Sequence, residues 1–176
     1  FLTCAFTLWV ALPLIYRDKR EGNKKLLKLT SWLFLLVIIQ IIYGAFVAGL
    51  DAGIGFNSWP KMNGEWIPEA VYSLDPLWRN FLEAEAPYGI QFIHRTLALI
   101  IVFFVLIIWI KGRKTQLNHL QRKSLNILLS LVILQTVIGI FTLILVVPIS
   151  LALIHQLGAF LLLMSIVFSI FTFSKS

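Results

Sequence analysis

Four long apolar runs restrict the chain to one kind of environment. Each run exceeds the roughly 20 residues that an α-helix needs to cross about 30 Å of hydrocarbon; the runs are 29–50, 89–110, 124–147 and 151–173. A fifth run, 1–16, is shorter, and we interpret it as the end of a truncated transmembrane helix. With 59% apolar residues and a mean hydropathy of +0.89, the chain is predicted to be an integral membrane protein.

The apolar runs also predict the fold class and the domain organisation. Lipid offers the backbone no hydrogen-bond partners, so uninterrupted spans of this length are predicted to be helices. Short connections favour an antiparallel four-helix transmembrane bundle preceded by the end of a truncated transmembrane helix. We therefore divide the chain into 1–28, the end of the preceding helix plus a basic loop, and 29–176, a four-helix bundle with an outer loop at 51–88.

The distribution of charge predicts the orientation in the membrane. Segment 17–28 contains six Lys or Arg and segment 111–123 contains five, whereas 51–88 contains six acids and two basic residues. The positive-inside rule therefore directs the two basic segments to the cytoplasm and 51–88 to the outer side. The net charge of +7 reflects this topology and gives no support to nucleic-acid binding, so membrane lipid is the expected partner. A bacterial plasma membrane is favoured over a mitochondrial inner membrane.

The outer loop is long and rich in aromatic residues, which favour the headgroup region of a membrane. Asp75 and Pro76 form an N-cap and first-turn pair for a short helix, on which Trp78, Phe81 and Leu82 share one face. This pattern predicts a lid that lies on the outer surface. An ordinary packed loop with interfacial anchors explains the same residues equally well.

Two histidines lie at matching positions in two of the spans. His94 follows Pro87 by seven residues, and His155 follows Pro148 by seven residues. Each proline is a natural helix start, so both imidazoles are expected about 10 Å along their helices. Both spans run from outside to inside and occupy diagonal corners of the predicted bundle. The arrangement predicts one metal with two axial imidazoles.

Small residues surround both histidines and favour a flat ligand. A macrocycle needs a slot beside its axial ligands, and residues three or four positions away share a helix face with them. Those residues are Ala152, Gly158 and Ala159 around His155, and Gln91 and Ala98 around His94. Segment 44–53 adds a further strip of small residues, for which close helix packing in lipid is the favoured explanation.

The other potential ligands favour heme over zinc. Zinc would need additional Cys, His or carboxylate ligands, and the apolar spans contain no Asp or Glu. Heme iron needs only two axial nitrogens. A structural hydrogen-bonding role is the alternative for each histidine. His119 lies in a basic loop and is not expected to be a ligand, and Cys4, the single cysteine, is expected to be a packing residue.

Polar residues next to the histidines are candidates for contact with the cofactor. Arg95 is the only basic residue within the complete spans; pairing with a heme propionate and extension to the lipid headgroups are equally expected. Four glutamines are expected to be buried, and Gln91 and Gln156 are the stronger candidates because they lie close to the histidines; the other two are Gln40 and Gln135. The sequence shows no hydrolytic triad, phosphate-binding loop or carboxylate pair.

Three segments resemble the C-terminal half of the heme A synthase family: "GAFVAGLDAGIGFNSWPKMNGEWIP" at 44–68, "QFIHRTLA" at 91–98 and "LQTVIGIFTLILVVPISLALIHQLGA" at 134–159. The resemblance extends over nearly the whole chain. It implies an eight-helix membrane enzyme of two similar halves that oxidises a methyl group of heme O to the formyl group of heme A. It also implies that His94 and His155 ligate a heme b.

The same resemblance implies that the N-terminal half of the enzyme is missing, except for the end of its last helix. This fragment is therefore not expected to catalyse alone. The missing half is expected to bind heme O, while the half present relays electrons through heme b. Heme O synthase, which makes the substrate, is a candidate partner.

Two functions from other classes compete with the synthase. A non-enzymatic diheme cytochrome b would share the histidine pair but gives no reason for the specific outer segment "NSWPKMNGEWIP". A cofactor-free transporter or assembly protein would use the histidines to join helices, but transporters usually have interrupted helices, and these spans are uninterrupted.

Overall fold

The computed structural model describes residues 1–16, 22–73 and 87–175. Within this part of the chain, four helices are long and apolar enough to cross a membrane, and a shorter apolar helix precedes them. The helices are α1 (Leu2–Ile15), α2 (Lys24–Gly49), α3 (Ala52–Gly55), α4 (Pro87–Arg113), α5 (His119–Ile144) and α6 (Ile149–Phe173), and a 3-10 turn lies at Glu69–Val71. The predicted all-α transmembrane fold is confirmed.

Two of the long helices, α2 and α5, begin five residues before their apolar runs because their caps lie in the basic segments. Asn23 caps α2, since its Oδ1 accepts the backbone N–H three residues later at 3.0 Å. Asn118 and Gln121 cap α5 reciprocally: Asn118 Oδ1 accepts the N–H of Gln121 at 2.9 Å, and Gln121 Oε1 accepts the N–H of Asn118 at 3.2 Å. These bonds satisfy backbone donors that the first helical turn leaves without partners.

The chain forms two compact units. The first unit comprises Phe1–Val37, Ile101–Gln135 and Leu157–Ser176, and the second comprises Ile38–Ile100 and Thr136–Gln156. Each of the four long helices contributes residues to both units. His94 and His155 both belong to the second unit.

Buried polar contacts join helices in the first unit. The amide of Gln121 donates to the carbonyl oxygen of Thr172 at 3.0 Å, and the hydroxyls of Ser124 and Thr172 are 3.2 Å apart. Trp9 of α1 meets the ring of Phe171 edge-on, with 6.4 Å between ring centroids. Hydrogen bonds of this kind stabilise helix pairs in membranes by roughly 0.6 kcal/mol each, so they specify alignment more than they add stability.

The turn between α5 and α6 belongs to the second unit and leads directly to His155. Helix α5 ends three residues before the apolar run does, because Val146 and Val147 have φ values of 61° and 55°. β-Branched residues rarely adopt this left-handed conformation. The N–H of Val147 donates to the carbonyl oxygen of Thr142 at 2.8 Å, which closes the helix end. Pro148 then precedes α6.

The described part of the outer segment contains a tight turn. Met62 and Glu65 exchange two backbone hydrogen bonds, at 2.8 and 3.2 Å. The two residues between them, Asn63 and Gly64, have φ values of 50° and 91°. Two consecutive positive φ angles are typical of a type I′ turn, which favours an Asn-Gly pair.

Two features predicted from sequence lie outside the described residues. These are the helix capped by Asp75 and Pro76 that would form the lid, and the basic residues at 17–21. The lid and the orientation of the chain in the membrane stay predictions.

Replacement of Val146 by glycine should stabilise the chain. Glycine adopts positive φ without steric penalty, and the Val146 side chain is 50% exposed, so relief of the strained backbone by about 1 kcal/mol should exceed the lost packing. Thermal unfolding in detergent micelles should show a higher midpoint. Leu145→Gly, at an exposed neighbour without a positive φ, should lower it; a lower midpoint for both variants would contradict the strain argument.

Candidate functional site

The second unit brings the two predicted ligands together. His94 lies on α4 and His155 on α6, and both belong to the second unit. Both residues are half-buried. The Nδ1 atom of His94 is buried, and no described residue forms a hydrogen bond with it. This arrangement places two imidazoles in one compact unit at membrane depth.

Each imidazole lies against a glycine of a neighbouring helix. A Cβ atom built on Gly44 of α2 would be 3.0 Å from Cε1 of His94, and one built on Gly139 of α5 would be 2.7 Å from Cε1 of His155. Real Cβ atoms essentially never approach another heavy atom below 3.0 Å. The glycines therefore allow both rings to approach a helix backbone more closely than any other residue would.

Gln40 contacts His94 directly. Its amide Nε2 donates to the carbonyl oxygen of His94 at 3.0 Å and lies 3.4 Å from Nε2 of the same imidazole. Gln40 is one helical turn before Gly44, and Gln135 is one turn before Gly139. Closeness in sequence to the histidines favoured Gln91 and Gln156 over Gln40, although the repeated Gln-x-x-x-Gly pattern was a signal for Gln40.

Gln156 does not share this environment. The expectation that it is buried is wrong, because its side chain is exposed. It follows His155 by one position, and adjacent helical residues point in different directions. Its contact with a cofactor stays a prediction.

Arg95 and Gln91 bind the backbone of the outer segment. Arg95 Nη1 donates to the carbonyl oxygen of Ser58 at 2.9 Å, and its Nη2 donates to that of Phe56. The amide of Gln91 donates to the same Phe56 oxygen at 3.0 Å. Both side chains are buried. They attach residues 56–58 to the part of α4 that carries His94, a use of Arg95 that differs from both sequence expectations.

Aromatic packing holds the same stretch of the outer segment. Phe56 meets Tyr88 of α4 edge-on, with 4.5 Å between ring centroids. A Cβ atom at Gly55 would be 2.5 Å from the Tyr88 ring, so only glycine allows this approach. Phe56 is thus fixed through its ring and its carbonyl oxygen.

The donor set fits heme iron better than a protein-ligated metal. Among the described residues, no group of three or more His, Cys, Asp or Glu could hold a metal ion. A tetrahedral zinc site needs three or four protein ligands, whereas a porphyrin supplies four nitrogens and leaves two axial positions. Two imidazoles held against glycines match that requirement.

The remaining candidates lie in the first unit. His119 is exposed at the first residue of α5. Cys4 is exposed on α1, so the expectation that it is a packing residue is wrong. An apolar helix in a membrane presents part of its surface to lipid, where a thiol needs no protein partner.

Comparisons with known proteins agree on one family. The family model described as "Cytochrome oxidase assembly protein" matches residues 1–167. A protein named heme A synthase from Flavobacterium johnsoniae is 42% identical over 99% of the chain and 52% of its own length. Heme A synthases from Nitrosospira multiformis and Paracoccus denitrificans are 38% and 34% identical, over 92% and 90% of the chain and 46% and 42% of their own lengths.

The chain spans about half the length of these curated relatives. No solved structure matches it significantly. The relatives are bacterial, and the described residues include four helices able to span a membrane, so the chain is a multi-pass bacterial membrane protein.

Replacement of Arg95 by methionine should release residues 56–58 from α4. Methionine keeps most of the apolar stem but loses both donors, and hydrogen bonds from a charged group contribute roughly 1.5–3 kcal/mol each. Hydrogen–deuterium exchange in micelles should become faster between residues 55 and 63. Arg113→Met, at the other end of α4, where the guanidinium lies 5.3 Å from the Trp109 ring, should leave this exchange unchanged. Equal exchange in all three proteins would exclude the attachment.

Proposed function

Because the chain belongs to the cytochrome oxidase assembly protein family, we propose that it is one half of a heme A synthase and binds a heme b through His94 and His155. The complete protein oxidises a methyl group of heme O to the formyl group of heme A. The observation that carries the proposal is the pair of imidazoles in one compact unit, each against a glycine of a neighbouring helix.

The chain's own residues account for how such a cofactor would be held. His94 and His155 would hold the iron through imidazole nitrogens, and Gly44 and Gly139 leave room for both rings against the helices. When bound, the heme supplies an iron centre that exchanges single electrons. Two histidine ligands would leave the iron no free position for oxygen, so the group would relay electrons rather than activate oxygen.

Polar residues near His94 would contact the edge of the cofactor. Both Nη groups of Arg95 are engaged by backbone carbonyls, so its buried Nε is the donor we assign to a heme propionate. Gln91 keeps a buried Oε1 that no described residue bonds, and we assign it a contact with the cofactor as well. Gln156 stays a candidate through its position beside His155.

The chain covers about half of the length of its relatives, which supports different roles for the two halves of the complete protein. The relatives are about twice as long, and we propose that heme O binds mainly in the half outside this chain. Conversion of a methyl to a formyl group removes electrons and protons and adds one oxygen atom. With water as the oxygen source, the electrons would leave through the heme of the half described to an acceptor outside this chain. The chain alone would then be inactive. Heme O synthase, the source of the substrate, is the partner that this pathway requires.

Substitution of either histidine should abolish heme binding. Reduced-minus-oxidised spectra of the purified protein should show a sharp low-spin b-type band that is lost in His94→Ala and in His155→Ala, because each variant removes one axial nitrogen. His119→Ala, at the exposed start of α5, should retain the band. Absence of the band from the wild-type protein, even after hemin is supplied, would favour the cofactor-free alternative. Heme without heme A production by the full-length protein would favour the cytochrome b.

Substitution of the two glycines should weaken heme binding without removing a ligand. A Cβ at Gly139 would meet His155 at 2.7 Å and one at Gly44 would meet His94 at 3.0 Å, so Gly139→Ala should have the larger effect. We expect roughly tenfold weaker hemin binding for Gly139→Ala, as is typical when the support of a metal ligand is disturbed. Titration of the Soret absorbance measures this. Gly49→Ala is the control on α2, because nothing lies within 4 Å of its added Cβ; a loss as large there would contradict the argument.

A further inference from the structure

We propose that Gln40 is a positioning residue that presents the Nε2 lone pair of His94 to a metal. This inference rests on the proposed function for the identity of the metal but not for the hydrogen bonding that it describes. Its basis is a single amide nitrogen that lies between two atoms of one histidine, the carbonyl oxygen at 3.0 Å and the ring Nε2 at 3.4 Å.

The identity of the Gln40 atom follows from its stronger partner. A carbonyl oxygen only accepts hydrogen bonds, so the amide atom 3.0 Å from the His94 oxygen must be the nitrogen. The hydrogen bond therefore decides which end of the Gln40 amide is the nitrogen and which is the oxygen. The group that faces the imidazole is therefore an N–H donor.

A donor opposite Nε2 selects one form of the neutral imidazole. In that form Nε2 carries the lone pair and Nδ1 carries the proton. The opposite tautomer would place two N–H groups against each other at 3.4 Å. Gln40 thus favours the tautomer in which Nε2, the nitrogen farther from the histidine backbone, is free of a proton and ready to coordinate.

The same contact allows the lone pair to be released. The 3.4 Å separation is at the long limit of a hydrogen bond, whereas the 3.0 Å bond to the backbone oxygen is of ordinary length. A metal that takes Nε2 displaces only the weaker contact. Gln40 remains attached to α4 through the carbonyl oxygen, and Gly44, one turn later on α2, continues to support the ring.

Nitrogen NMR of the heme-free chain tests the tautomer directly. In the ¹⁵N-histidine-labelled full chain in micelles, with signals assigned by His94→Ala, Nε2 of His94 should have a pyridine-type shift and Nδ1 a pyrrole-type shift. A pyrrole-type Nε2 in the wild-type chain would overturn the proposal. This measurement needs no heme, so it is independent of the proposed function.

Two variants then test the effect on metal binding. Gln40→Leu removes the donor, and Gln40→Glu has nearly the same shape but presents acceptors, which favour a proton on Nε2. Hemin affinity should be lowest for Gln40→Glu, by roughly two- to tenfold, the equivalent of one hydrogen bond. The Nε2 signal should shift toward the pyrrole type in the order wild type, Leu, Glu. Gln116→Leu, at an exposed position outside the helices, is the control and should change neither quantity.

The outcomes separate the two proposals. A pyridine-type Nε2 in a wild-type chain that binds no hemin would support the role of Gln40 and remove the heme from the proposed function. Hemin binding with equal affinity and equal tautomer populations in all Gln40 variants would keep the heme and overturn the role of Gln40.

Discussion

Close approach between a histidine ring and a helix backbone is the constraint on which the candidate site depends. In lipid no water replaces a lost contact, so helices pack through small residues and through the few polar groups that find partners. Gly44 and Gly139 meet the first requirement, since a Cβ at either position would lie 3.0 or 2.7 Å from an imidazole carbon. Gln40 meets the second by bonding the carbonyl oxygen of His94.

The outer segment depends on α4 in a different way. Arg95 is a cation at membrane depth, and the carbonyl oxygens of Phe56 and Ser58 satisfy both its Nη groups. Charge-assisted bonds of this kind are stronger than neutral ones and hold geometry well. Because Arg95 follows His94 directly, the same turn of helix carries the predicted ligand and the attachment of the outer segment. A change in the conformation of residues 56–58 would therefore act on His94 through Arg95.

The sequence predicted which segments span the membrane. It did not predict where the helices begin or which distant residues they contact. Apolar length alone identified four spans, whereas the starts of α2 and α5 depend on Asn23 and Asn118, whose capping bonds extend each helix into a basic segment. The family resemblance read from three motifs is confirmed by relatives up to 42% identical. The partners of Arg95 were not predictable, because they lie 37 and 39 residues earlier in the chain and no periodicity relates them.

A repeated pattern of four residues underlies the site. Gln, Gly, Pro and His occur in this order as Gln40, Gly44, Pro87 and His94, and again as Gln135, Gly139, Pro148 and His155. In the second copy the amide oxygen of Gln135 lies against Gly158, three residues after the histidine, where the first copy has Leu97. Gly158 therefore lets Gln135 approach α6 closely in the second copy, and in both copies the glycine one turn after the glutamine lies against the histidine ring.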